Sequence, residues 1–482
     1  MQDREKMIAE IASEVVARLR LHLPQPLPPA REVRSKQDGG QDGVFDTVDD
    51  AVNAAHAAQK KVAALSLGDR GRIVEIIRRI CTTRAPELAR MELDETKVGR
   101  LDHKIVKLEN VRYVLGVEAM RSDARSDVSG LCVIERAPWG VVGMVLPVTH
   151  SVPTMASNAI NVLAAGNTAV FAPHPSGCKV AAYALQLFNR EIRRELGIAN
   201  AITTIREPSI EAAELLFQHP KVALLCVTGG SGVVAAASKH GKRVIAAGPG
   251  NPPVVVDETA DFDAASKAII AGAAYDNNLL CIGEKEVFVV EAAANAFISA
   301  MKKAGAYQLD APAIERLSQA AFTFEGGGKG CARAHVNRDL VGKDVAVLAA
   351  AAGVRVSAGT ELLFGETDAE HPFVQEEQMM PFLPVVRVRD FDAALAAALV
   401  AEHNYRHTAV IHSRRMDRVT EMARVMNTTL FINNAPSFAA LGSDGPGYLS
   451  YTIGTPTGEG VTTPLTFTRE RQFTVGKALR II

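Results

Sequence analysis

From Trp139 onward the chain alternates short apolar runs with amphipathic stretches, and this alternation narrows the possible architectures more than any other feature. Strands are expected at 141–146, 168–172, 202–205, 222–227 and 244–247, with helices near 153–165, 178–196, 209–218 and 232–240. Strands and helices alternating at these lengths imply right-handed crossovers and a parallel sheet covered on both faces. The expected fold class is therefore α/β with a Rossmann-like domain. Ligands bind such sheets beyond the carboxyl ends of the strands, where loops lead into helix N-termini.

Two loops fall at that edge. "VTGGSG", 227–232, follows a strand and opens a helix; its glycines let the backbone approach a phosphate while helical N–H groups point at it. Thr228, Gly229, Gly230 and Ser231 are thus candidate nucleotide contacts, although the GxGxxA spacing of Gly230, Gly232 and Ala235 taken alone also describes a plain tight turn. The second loop, "LPVTHSVPT", brings Thr149 and His150 to the same edge. After Gly250 a second alternating segment runs through "PPVVVD", the helical "DFDAASKAIIAGAAY" and "NNLLCIGEKEVFVV". Cys281 stands there between a helix and a strand. A cysteine taken alone is more often core filling than a nucleophile.

The bulk properties bound the remaining choices. The chain has 482 residues, 48% hydrophobic and 22% charged, enough for two or more domains. Lys and Arg total 53 against 54 Asp and Glu, so nothing electrostatic calls for a nucleic-acid or membrane partner. Small molecules are the expected partners. Cys81, Cys132, Cys178, Cys226, Cys281 and Cys331 are scattered, with no CxxC pair and no disulfide-scaffold spacing. A reducing, cytoplasmic setting fits, and no metal site is expected. No apolar run approaches the ~20 residues needed to span a bilayer, and the N-terminus carries acids where a secretory signal would be apolar.

Near the N-terminus, Ile8, Ile11, Ala12, Val15, Val16 and Leu19 form one apolar stripe at helical spacing. The proline-rich "LPQPLPPA" and the polar "REVRSKQDGGQDG" follow, so the expectation is an amphipathic helix over 1–23 on a linker over 24–43. The stripe either packs on the body of the same protein or docks on another. A terminal helix more often packs on its own protein, but a helix meant for its own core needs no leash, which makes docking competitive.

Several longer stretches carry a resemblance: "LAAGNTAVFAPHP", "VTGG", "AAGPGNPPVVVDETADF", "DNNLLCIGEK", "EEQMMPFLPVVRV", "RHTAVIHS" and "TPTGEGVT". With them the chain resembles the aldehyde dehydrogenase superfamily, and within it the CoA-acylating branch found with bacterial microcompartments. The resemblance implies a Rossmann-like cofactor domain over 44–248 with an arm segment at about 125–138, an α/β catalytic domain over 249–440, and a C-terminal loop and β oligomerisation strand over 441–482. It implies NAD and coenzyme A, a short-chain aldehyde, and a homo-oligomer, dimer or tetramer. The tethered helix is similar to encapsulation peptides that take such enzymes into a microcompartment through shell or cargo proteins.

Carried over residue by residue, the resemblance makes Cys281 the nucleophile and its backbone N–H an oxyanion donor. His150 stands where the family has an asparagine oxyanion donor. It either keeps that role through a ring N–H or is a structural loop histidine. Ala246 replaces the glutamate that activates water in hydrolytic members. Glu377 matches a glutamate contacting the nicotinamide ribose. Gly250 falls in the matched "AAGPGN" among the cofactor contacts, and Ala172 replaces a ribose-reading lysine, leaving His174 for adenosine or CoA phosphate and favouring NAD over NADP. A thiol, with pKa ~8.5, needs far less activation than water, with pKa ~15.7, so the missing base argues for acyl transfer to CoA. The expected activity is CoA-acylating oxidation of propionaldehyde, then acetaldehyde. The alternatives are a hydrolytic NAD-dependent dehydrogenase giving free acid, and a non-catalytic scaffold.

Overall fold

A computed structural model describes residues 42–325, 333–443 and 445–479. The expected N-terminal helix, its linker up to residue 41 and Cys331 lie outside the described residues.

Six parallel strands form the first sheet, in the order Val44–Phe45, Ile202–Ile205, Thr168–Ala172, Val141–Val145, Val222–Thr228, Arg243–Ala247. Every residue of Thr168–Ala172 and Ile202–Ile205 is buried, and the hydroxyls of Thr168, Thr203 and Thr204 donate to the Ala55, Ala51 and Phe171 carbonyls. The chain winds outward from Val141–Val145 in one direction and then in the other. That strand is the switch point at which a doubly wound sheet opens a crevice.

The helices between them follow local signals. Cys178–Leu196 stops at Gly197, whose φ of 70° closes the helix in the left-handed region. Ser151–Ala164 starts two residues before the expected 153, because Pro153 fits the first turn, where its missing N–H is not needed. All its residues are buried, polar ones included, as befits a helix enclosed on every side. Ser231–Ser238 is likewise shifted from the expected 232–240, opening directly after Gly230.

Seven parallel strands make the second sheet, in the order Tyr307–Gln308, Leu363–Glu366, Phe382–Val388, Glu286–Val290, Pro253–Val256, Thr408–His412, Leu430–Asn433. The helix Phe262–Ala274 and a short 3₁₀ turn, Tyr275–Asn278, connect Pro253–Val256 to the segment carrying Cys281.

A third, antiparallel sheet joins Asp123–Asp127, Gly130–Pro138 and Thr468–Gly476, so the two extended segments noted in the sequence pair with each other. Its outer strand is wholly exposed, and Val128 and Phe473 stand 87% and 67% exposed. Among the described residues no helix is long and apolar enough to cross a membrane.

Asn167 ties the first sheet to this arm. Its Oδ1 accepts from the Trp139 and Gly140 N–H groups at 2.6 and 2.9 Å, and its Nδ2 donates to the Phe467 carbonyl at 2.8 Å. The side chain is fully buried, so no water stands in when it is removed. Asn167→Ala is expected to destabilise the protein by about 2–4 kcal/mol, since it strands buried backbone groups. Urea denaturation checks this; a loss under about 1 kcal/mol would contradict it.

Candidate active site

Cys281 is delivered by an unusual turn. Asp276, Asn277 and Asn278 have φ of 50°, 56° and 64°, three consecutive left-handed residues without a glycine. Asp and Asn tolerate that region because their short polar side chains replace the missing backbone partners. Here Asn277 Nδ2 donates to the Gly342 carbonyl and to Asp344 Oδ1, at 3.0 and 2.9 Å. Asn278 Nδ2 donates to the Ala273 and Glu284 carbonyls, both at 2.9 Å. Below the turn, Lys285 Nζ donates to the Asn278 and Leu280 carbonyls, at 3.2 and 2.9 Å.

Asp276 anchors the start of this turn from inside the protein. It accepts from the Arg100 N–H at 2.7 Å and from Lys107 Nζ, and Lys104 Nζ lies 4.0 Å away. Burial raises the Asp276 carboxyl, but the cations of Lys107 and Lys104 with these hydrogen bonds outweigh it and hold its pKa below the usual range. Gly250 supports Cys281 from behind. A Cβ there would stand 2.6 Å from the Cys281 carbonyl and 2.8 Å from the His407 ring.

A cavity of about 520 Å³ opens where the first sheet reverses. Cys281, His150, Thr149 and Glu377 share its wall. So do Thr228, Gly229, Gly230 and, at an exposed rim, His174. Ser231 opens the helix that follows Gly230, and Gly250 does not line the cavity but packs under Cys281. Nothing lies within 4 Å of where a Cβ would stand on Gly230 or Gly232, so the helix start is open enough for a phosphate. The residues present thus fit a dinucleotide.

Ala246 is fully buried in its strand, and the adjacent cavity wall is Ala247, Gly248 and Pro249, without a carboxylate. Glu377 is the one acid among the described residues of the wall. Burial pushes its carboxyl up to about 7 against the pull of Lys285 and a hydrogen bond from the Gly250 N–H. Burial also pushes the Cys281 thiol up to about 12; Glu377 raises it further, while Lys285 and the N–H groups of Cys281 and Ile282 oppose. The unliganded thiol is therefore protonated near neutral pH.

Both histidines of the inner wall are neutral. Burial, then the charges of Lys107 and Lys104, hold His150 well below the usual imidazole range. Burial and Lys285 bring His407 down to about 4. His407, Tyr451, Arg338 and Met379 also line the cavity, and none of them stands out by residue type or spacing alone. His407 was within reach, because it lies in the quoted "RHTAVIHS" and immediately precedes a buried strand.

A thiol and neutral N–H donors beside the switch point of a doubly wound sheet are the parts used by enzymes that act through a covalent cysteine adduct. The chain belongs to the aldehyde dehydrogenase family, whose model matches residues 39–448. It is 44% identical to acetaldehyde dehydrogenase (acetylating) EutE of Salmonella typhimurium across 91% of this chain and 94% of that protein. A propionaldehyde dehydrogenase from the Clostridium phytofermentans fucose utilisation bacterial microcompartment superposes with a TM-score of 0.88 at 39% identity, over 91% of this chain and 100% of that one. Rhodopseudomonas palustris propionaldehyde dehydrogenase with bound propionyl-CoA does so with the same score and identity, over 95% and 100%.

The charges around the sulfur predict its reactivity. Removing the Glu377 charge lowers the thiol pKa, so Glu377→Gln should speed alkylation of Cys281 by iodoacetamide at about pH 8.5 by roughly three- to tenfold. Lys285→Met should slow it. Peptide mass spectrometry of the alkylated cysteine reads the rates; equal rates in all three proteins would contradict the assignment.

Proposed function

We propose that this protein is a CoA-acylating aldehyde dehydrogenase that converts a short-chain aldehyde, propionaldehyde first and acetaldehyde next, to its acyl-CoA. The observation carrying this reading is Cys281 in a cavity where Ala246 occupies the place of a water-activating carboxylate. The acetylating and propionaldehyde-oxidising relatives support the substrate class.

The Cys281 sulfur adds to the aldehyde carbon, and the resulting oxyanion is met by the Cys281 backbone N–H and the His150 ring. Such donors contribute ~3 kcal/mol each to the transition state. Bound NAD supplies the acceptor for the hydride and a positive charge that favours the thiolate. Thr228, Gly229, Gly230 and the Ser231 backbone hold the dinucleotide phosphates, Thr149 lines the adjoining wall, and His174 meets an adenosine or phosphate group at the rim. Glu377, carried by the Gly250 N–H, accepts from the ribose hydroxyls.

The product of oxidation is a thioester on Cys281. Water attack on it would need a base, whereas the CoA thiol ionises far more readily. His407, kept neutral by burial, offers that thiol a hydrogen-bond acceptor. Glu377 supports a second reading, hydrolysis to the free acid, because it is a carboxylate whose pKa sits at about 7 beside the sulfur. With propionaldehyde and NAD, steady NADH formation is expected only when CoA is present, and Cys281→Ser should abolish it. CoA-independent turnover at full rate would favour hydrolysis; turnover by the serine variant would remove Cys281 from the reaction.

The arm sheet, with Val128 and Phe473 exposed, supports a homo-oligomer paired through this surface. The amphipathic N-terminal segment supports a place inside a bacterial microcompartment, reached through shell or cargo proteins. Deleting residues 1–29 is expected to leave NADH formation intact and to abolish encapsulation when the protein is co-expressed with a shell. Lost activity with retained encapsulation would refute that role.

A further inference from the structure

Four charged side chains are buried together behind the cavity, and the reaction as described uses none of them. Glu92, Lys104, Lys107 and Asp276 are all at most 1% exposed. Lys104 Nζ reaches Glu92 Oε1 at 2.9 Å, and Lys107 Nζ reaches Asp276 Oδ2. Burying ions is costly, and replacing such pairs with apolar residues is often neutral or stabilising, so their presence calls for a role beyond stability.

Their contacts run from one catalytic loop to the other. Glu92 Oε2 accepts from the Val152 N–H at 2.9 Å, in the first turn of the helix that His150 precedes. Lys107 Nζ donates to the Thr149 carbonyl at 3.3 Å and is paired with Asp276, the first residue of the left-handed turn ahead of Cys281. The main chain of Lys107 contributes as well. Its carbonyl accepts from the Tyr451 hydroxyl at 2.8 Å, and the Tyr451 ring lies against the His150 ring with centroids 5.7 Å apart.

His150 needs such support. Its Nδ1 is buried with no hydrogen-bond partner among the described residues, so no carboxylate fixes its orientation or tautomer. The groups facing it are Lys104 and Lys107 from one helix, Asp276 from the cysteine's turn, Tyr451 from the C-terminal segment and the Thr149 backbone.

We propose that Lys107 is a positioning residue that fastens the His150 loop to the Cys281 turn and keeps His150 a neutral donor. This rests on the reading of His150 as an oxyanion donor. The chemistry requires neutrality. A neutral imidazole N–H donates a hydrogen bond to the thiohemiacetal oxyanion without surrendering its proton, as in sites where an uncharged histidine acts as the electrophile. An imidazolium, with an ordinary pKa of ~6.5, would hand its proton to that far more basic oxygen. The alcohol so formed keeps its O–H electron pair, the C=O bond cannot form, and the C–H pair has no drive to leave. Burial does most to keep His150 neutral, and the charges of Lys107 and Lys104 add to it.

Lys107→Met removes the charge. The expected result is an acid limb of kcat for NADH formation moved to higher pH, read as a relative loss of activity at the acid end of the profile. Lys107→Arg, which keeps the charge, should retain the wild-type limb. In a His150→Asn background, where an amide donor does not titrate, Lys107→Met should leave the limb unmoved. Lys104→Met, which preserves the Lys107–Asp276 contact, should shift the limb the same way by less and carries the test if Lys107→Met does not fold. A uniform loss with an unshifted profile would overturn the proposal, as would a shift that persists in the His150→Asn background. Full activity in His150→Ala would instead overturn the underlying role of His150, whereas an inactive His150→Ala beside an unshifted Lys107→Met would sink the inference alone.

Discussion

The Asp276 carboxylate is the fixed point of the site. It satisfies the Arg100 N–H and the Lys107 ammonium, and it begins the three left-handed residues that turn the chain toward Cys281. Removing one partner of a buried pair like this typically costs about 3–5 kcal/mol, because the other charge is left without compensation. The packing is equally restrictive: Gly99, at φ 85°, has no Cβ because Asp276 fills that space. The position of Cys281 is therefore set by an ion pair and by backbone conformation, with little left to the thiol's own contacts.

The surrounding electrostatics favour neutral groups. Burial and the nearby lysines keep His150 and His407 uncharged, and burial shifts Glu377 toward protonation. A cysteine in such a setting is a poor nucleophile until positive charge arrives, which couples reactivity to occupancy of the cavity. It also protects an acyl-enzyme, since no strong base faces the thioester from the Ala246 position.

Much of the scaffold could be read directly from the sequence, and the reasons are local. Thr168–Ala172 and Ile202–Ile205 lie where the sequence puts them, because their β-branched and aromatic residues suit a pleated sheet covered on both faces. Cys178–Leu196 ends where Gly197 permits a left-handed cap. The cavity's glycine loop and Cys281 were visible as motifs at strand ends. The buried quartet was not: the partners of Lys104 and Lys107 lie 12 and 169 positions away. Burial of a lysine is decided by which distant acid the fold brings to it, and no periodicity encodes that. His407 differs: its motif "RHTAVIHS" is visible in the sequence, and only its packing against Gly250 follows from the fold.

The central claim is that an acyl group resides on Cys281 and is released by a thiol. Loading the enzyme from propionyl-CoA, removing free CoA and following the intact mass over time tests it most directly. The account predicts one acyl group per chain, mapped to Cys281, stable in buffer and lost promptly when CoA is returned. An adduct that decays equally fast without CoA, or that maps to another residue, would contradict it.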